Sequence, residues 1–185
     1  MTARLRLRDW DDADEAEFYA AMNTPAVMRH LGGVQSREEW RAALQRIRGF
    51  SRDFGHTFWI VEDKVSGELL GFCGLKRVNS PGAGELTGTP EIGWRLRTSA
   101  WGKGIAKEAA IASLDLAFGR FGYPAVIAMT TPDNVESQGL MNRLGMRRRD
   151  DLDFIDARYG PELNPSMIWL ISADEWPTAR AAALA

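Results

Sequence analysis

The residues whose types and spacing suit chemistry lie in Trp101-Gly102-Lys103-Gly104-Ile105-Ala106. Residues 107–118, directly after it, hold no Pro and no interior Gly and are built mostly from Ala, Leu and other good helix formers. Ile105, Ala109, Ala112 and Leu116 recur at helical spacing, and Leu114, Phe118 and Phe121 widen the apolar stripe. The first turn of a helix leaves N–H groups unpaired at the positive end of the helix dipole. Small residues at 102, 104 and 106 let a phosphate approach those donors, and Lys103 adds a positive charge. The implied chemistry is phosphate or diphosphate binding. The alternative is a tight connection in which Gly only supplies positive φ, and the glycines alone do not separate the two.

The elements that position this turn follow from periodicity. Before it, Glu91 to Arg97 alternates, with Ile92, Trp94 and Leu96 on one face and Glu91, Arg95 and Arg97 on the other, so the unit reads strand, glycine turn, helix. A Walker A loop is excluded, because position 97 is Arg and Gly104 follows Lys103. A dinucleotide-binding fingerprint is excluded as well. Lys107 stands where the third small residue belongs, and the next strand, residues 125–130, carries no acid.

Upstream, Arg4 to Arg8 alternates as a first strand whose arginines could form a phosphate patch but read better as a solvated face. Residues 11–22 form a helix with acids in its first turn, residues 25–31 a short second helix ended by Gly32-Gly33. Ser36-Arg37-Glu38-Glu39 is a capping box that opens a helix to about residue 54. Residues 56–62 and 69–78 are strands joined by a turn at 64–67, and the Gly/Pro/Ser/Thr-rich stretch 79–89 is a loop that could touch substrate. Asn134 caps a helix that Gly145 ends. Residues 146–154 and 167–171 read as closing strands around a loop at 156–165, and residues 176–185 as a frayed C-terminal tail.

The whole chain bounds the function classes. Its 185 residues, 45% of them hydrophobic, suit one domain with a sizeable core, over residues 1–175. A net charge of -2 and a pI near 5.8 give no nucleic-acid footprint. The single cysteine, Cys73, sits in an apolar run and reads as an inert buried thiol. No signal peptide or membrane-spanning stretch is visible, so a cytoplasmic protein without a membrane partner is expected. His30 and His56 have no acids at metal-ligand spacing, so no metal site is expected.

The segment 101–106 resembles the acetyl-CoA pyrophosphate loop of the GNAT superfamily of N-acetyltransferases, which reads Gln/Arg-x-x-Gly-x-Gly/Ala. Gly104 and Ala106 match the small positions. Trp101 departs from the general pattern, but an aromatic there is familiar in the RimJ/RimL-type branch. The run Asn134-x-x-Ser137 followed by Arg143-Leu144-Gly145-Met146 is similar to the family's second motif. The order "RLRLRDW", an acidic helix, "PAVMRHLGG" and a capped "SREEW" helix also resembles that branch, so the likeness covers nearly the whole chain.

The resemblance implies an α/β (α+β) fold with a mixed, mostly antiparallel central sheet flanked by helices and a V-shaped cofactor cleft. It implies acetyl-CoA as cosubstrate, held by Trp101, Gly102, Lys103, Gly104, Ile105 and Ala106, with Asn134 near the pantetheine arm. Backbone N–H groups at Trp94, Arg95 and Leu96 would meet the oxyanion. Glu91 is the candidate base, directly or through water. Relatives often place a Tyr acid near position 141, where this chain has Met, so Ser137 is the substitute acid. The acceptor is a primary amine, on a small molecule or a protein N-terminus. Asp11, Asp12, Asp14, Asp150, Asp151, Asp153 and Asp156 could draw a cationic amine or be solvated surface. The alternative to an enzyme is an acyl-CoA-binding sensor or regulator without catalysis. Oligomeric state stays open, a homodimer included.

Overall fold

Pro90–Leu96 is the middle strand of a single sheet. The computed structural model describes residues 2–185. In chain order the elements are β1 (Leu5–Arg8), α1 (Asp14–Met22), α2 (Pro25–Met28), α3 (Arg37–Phe54), β2 (Phe58–Asp63), β3 (Leu69–Arg77), β4 (Pro90–Leu96), α4 (Ile105–Asp115), β5 (Ala125–Thr130), α5 (Val135–Arg143), β6 (Arg147–Arg148), β7 (Met167–Ser172) and α6 (Trp176–Leu184). The strands form one seven-stranded sheet in the order β1-β2-β3-β4-β5-β7-β6. The pairs β1·β2, β2·β3, β5·β7 and β6·β7 are antiparallel, and β4·β5 is parallel. This is the mixed, mostly antiparallel sheet flanked by helices that the sequence implies. No helix among the described residues is long and apolar enough to cross a membrane.

The chain divides into two units, one of residues up to Lys76 with Gly93–Ala112, the other of Arg77–Ile92 with Ser113–Ala185. In the first, Phe18, Met22, Met28, Trp40, Phe58, Ile60 and Phe72 form the core. Phe58 stacks on Phe72 at 4.8 Å, and Phe18 on Phe72 at 5.7 Å. Gly93 of β4 is required by this packing, because a Cβ there would stand 2.8 Å from Phe58 Cζ. The capping box forms as expected: Glu39 N–H donates to Ser36 Oγ at 3.2 Å and Ser36 N–H to Glu39 Oε2 at 2.8 Å. Arg6 is solvated as expected, Arg8 only in part, and both are ion-paired. Arg6 pairs with Glu62 at 3.1 Å, and Arg8 binds Glu62 at 2.8 Å and Asp14 through both guanidinium ends at 2.7 Å.

In the second unit, β5 and β7 pair from Ala125↔Ser172 to Thr130↔Met167. Ile127, Ile168, Val78 and Ala83 build the core under Leu86, Leu152 and Phe154. The expected strand over 146–154 shrinks to Arg147–Arg148. The cause is charge pairing in Arg148-Arg149-Asp150-Asp151-Leu152-Asp153. Arg149 binds Asp151 at 2.6 Å, Arg148 binds Asp153, and the Asp153 carboxylate accepts the Ile168 N–H at 2.9 Å, where a strand backbone would otherwise pair. A 3-10 turn at Asp150–Leu152 follows instead.

The C-terminus is also more ordered than a tail. Residues 176–184 are helical, Trp176 and Ala183 are buried, and the Trp176 indole N–H donates to Asp115 Oδ1 at 2.9 Å. Ser172 and Glu175 exchange hydrogen bonds just before the helix, as a capping box does.

Candidate active site

The first unit holds the glycine turn and the end of β4. Residues 98–100 make one 3-10 turn, then Gly102 and Gly104 take φ of +72° and +74°. That left-handed backbone is open to glycine at little steric cost. α4 starts at Ile105, whose buried side chain anchors the helix while 102–104 stay exposed. Two of the turn's carbonyls are engaged. Lys103 O accepts from Arg4 Nη1 at 3.0 Å, and Gly104 O accepts from the Glu108 N–H at 3.1 Å. Besides its carbonyls, the turn presents N–H groups at the positive end of α4.

Trp101 has a definite structural task in place of the expected Gln or Arg. Its indole N–H donates to Leu96 O at 2.8 Å, which ties the turn to the end of β4, while 45% of the residue stays exposed. This bond brings Leu96 to the turn. The Arg95 guanidinium lies over the Phe72 ring at 5.3 Å and the Trp40 ring at 5.8 Å, so its side chain belongs to aromatic packing. Arg97 binds Glu68 at 2.7 Å and Leu69 O at 3.2 Å.

Glu108 lies in the first turn of α4 and is held below its ordinary carboxylate range. Burial pushes it up, but the Thr2 hydroxyl, the Arg4 N–H and the Arg4 guanidinium together outweigh burial.

The second unit holds Glu91, Asn134 and Ser137. Glu91 is buried, 7% exposed, and stands opposite Ile127 in the parallel pair of β4 with β5. A buried carboxylate next to strand backbone is a different object from a solvated edge acid. Its charge acts on Arg158, whose guanidinium is held charged first by its hydrogen bonds to Asp156, against desolvation, with Glu91 adding to the effect. Arg158 is fixed in place. It donates to Asp156 Oδ1 through Nε at 2.9 Å, to Oδ2 through Nη2 at 2.5 Å, and to Ser80 Oγ at 2.8 Å. Asp156 itself is 2% exposed. Burial pushes it up, but the Arg158 bonds keep it below the usual range.

Asn134 caps α5, with Oδ1 accepting the Ser137 N–H at 3.2 Å, so these two sit together. Met141 is buried in the core at 1% exposure. His56 is buried with Nδ1 3.0 Å from Leu75 O, and His30 accepts from Arg29 Nε at 2.8 Å. Among the described residues, no group of three or more His, Cys, Asp or Glu is gathered as a metal site would need.

Two features were not visible from spacing. Arg4 reaches the glycine turn from a position 99 residues away in the chain, and Arg158 meets Ser80 across 78. Only the alternation around Arg4 gave any signal, and it favoured solvent over a phosphate patch.

Against known proteins, residues 4–147 match the family model of the acetyltransferase (GNAT) domain. The chain belongs to the GNAT acetyltransferase family. Among curated proteins it is 33% identical over 147 residues to the uncharacterized protein YkkB of Bacillus subtilis, covering 79% of this chain and 83% of that one. Among solved structures, an acetyltransferase from Agrobacterium tumefaciens C58 shares the fold with a TM-score of 0.76, 24% identity and 92% coverage of both chains. Mycobacterium smegmatis RimJ, solved in complex with CoA-disulfide, does so with a TM-score of 0.71, 20% identity and coverage of 97% of this chain and 87% of that one. The GNAT segment matched includes the glycine turn, Glu91 and both residues of the Asn134–Ser137 cap.

Proposed function

We propose that this GNAT acetyltransferase moves an acetyl group from acetyl-CoA to a primary amine. The observation that carries the reading is the turn at 101–106, with two carbonyls engaged by Arg4 and Glu108 and its N–H groups left at the start of α4. That is the donor set a diphosphate needs. The CoA-disulfide bound to the RimJ relative supports CoA as the carrier.

In this reading residues 102–106 hold the diphosphate, Trp101 sets the turn, and Asn134 contacts the pantetheine arm. The thioester carbonyl polarises against backbone N–H groups of residues 94–96, where charge develops in the tetrahedral intermediate. An alkylammonium acceptor has a pKa of about 10, so a proton must leave before attack. Glu91, buried on β4, takes it directly or through a water. Ser137 returns a proton to the leaving thiolate. Acetyl-CoA and the amine are the proposed partners of a cytoplasmic enzyme, with residues 1–175 as its acetyltransferase domain. The net charge of -2 supports the absence of a nucleic-acid surface.

The test is an amine panel, from protein N-terminal peptides to small diamines, with CoA thiol release as readout. Turnover with any amine supports the reading, and Ser137→Ala should lower kcat. Binding of acetyl-CoA with no release across the panel would favour a sensor instead.

A further inference from the structure

We infer that Arg4, a residue outside both motifs, is a further cofactor-binding residue of the glycine turn, and that its Nη2 donates to the diphosphate of the acyl donor. The inference rests on the reading of 101–106 as the diphosphate turn.

Arg4 is the arginine of the N-terminal run with a different set of partners. Arg6 and Arg8 turn to Glu62 and Asp14. Arg4 turns to the start of α4, where most of its donors are committed. Its backbone N–H donates to Glu108 Oε1 at 2.9 Å, its Nε to Glu108 Oε2 at 2.6 Å, and its Nη1 to Lys103 O at 3.0 Å. The Thr2 hydroxyl donates to Glu108 Oε1 at 2.5 Å and steadies the same carboxylate.

One end of the fork remains. Nη2 lies 3.6 Å from the point where a Cβ on Gly104 would stand. It donates to no other group among the described residues. Gly104 is the small residue whose missing side chain leaves room for a ligand, so the spare N–H groups of Arg4 border that room. The side chain is 49% exposed, so a ligand has access to it.

Glu108 offsets the formal charge of Arg4, so long-range attraction is weak. The effect is therefore short-ranged: a preorganised, charge-assisted N–H aimed by two fixed anchors, the manner in which a guanidinium fork binds phosphate oxygen. A lysine, a point charge on a flexible stem, lacks the rigid fork that fixes two anchors and aims a third donor. Arg4 thus joins two tasks. It draws the Lys103 carbonyl away from the ligand face and adds a donor to that face.

The experiment is calorimetric titration of the full chain, wild type and Arg4→Gln, with two titrants: acetyl-CoA, and acetyl-pantetheine, which lacks the diphosphate and nucleotide. Loss of one charge-assisted hydrogen bond at a half-exposed site should weaken acetyl-CoA binding by Arg4→Gln about tenfold. Acetyl-pantetheine should bind both proteins equally, and Arg4→Lys should recover little. Equal weakening of both titrants, or unchanged acetyl-CoA affinity, would overturn the inference. Failure of the wild type to bind acetyl-CoA would instead sink the reading of the turn itself, and this inference with it. If Arg4→Gln does not fold, the Arg4 Nε–H resonance of nitrogen-15-labelled wild type decides. A shift on adding acetyl-CoA but not acetyl-pantetheine supports direct contact, and no shift overturns it.

Discussion

Replacing Gly104 with Ala isolates the backbone handedness of the turn from its sterics. A Cβ at Gly104 would meet only Arg4 Nη2, at 3.6 Å, an ordinary contact. The cost is therefore conformational, since Gly104 sits at φ +74°. The left-handed region costs an L-residue roughly 1–2 kcal/mol. The turn is exposed at 102–104, so it can shed that strain by rotating its peptides. Such rotation misdirects the N–H groups, and the strain then appears as lost affinity. At 25 °C it corresponds to about a 5–30-fold rise in the acetyl-CoA Kd. Calorimetry reads the affinity and thermal melting guards against global unfolding. Gly119→Ala is the control: its Cβ would meet nothing within 4 Å and its φ is not left-handed, so binding should not change. Gly104→Ala with wild-type affinity would refute the argument that the φ of this turn aims the donors.

Three further outcomes follow from named contacts. Glu91→Gln should lower kcat while leaving acetyl-CoA affinity unchanged, and unaltered turnover would remove Glu91 from the mechanism. Asp156→Asn takes the charged partner from Arg158 at a site 2% exposed, at a cost of about 1–3 kcal/mol, visible as a fall of about 2–4 °C in Tm for each kcal/mol. Glu175 is brought from 4.5 down to about 2, chiefly by the Ser172 N–H and then by Arg147. A depressed acid stabilises the fold above its unfolded pKa. That contribution is complete above about pH 4.5 and lost as pH falls toward 2, so Glu175→Gln should flatten this part of the acid-unfolding curve.

Local signals carried the parts of this protein that positions close in sequence decide. The capping box at Ser36, the turn-and-helix unit at 101–115 and the Asn134 cap all depend on neighbours within a few residues, and all are legible from spacing. The choice of ion pairs among near neighbours escaped, and so did contacts between distant positions. The β6 strand is short because Arg148 and Arg149 find Asp153 and Asp151, a choice that alternation does not encode. The helix over 176–184 forms because Trp176 and Arg180 find Asp115, 61 and 65 residues away. The candidate site divides the same way. Residues 101–106 were legible as a glycine turn that opens a helix, but the Arg4 bond to the Lys103 carbonyl was not. Glu91 was legible as a strand acid, but its burial was not, and neither was the Arg158 charge that feels it.

The most direct measurement is calorimetric titration of the wild-type chain with acetyl-CoA, with NADH and ATP run in parallel. The account predicts binding of acetyl-CoA in the micromolar range and none of the other two, because Lys107 stands where a dinucleotide site needs its third small residue and Gly104 follows Lys103, against the Walker order. Absence of acetyl-CoA binding, or equal binding of NADH or ATP, would contradict it.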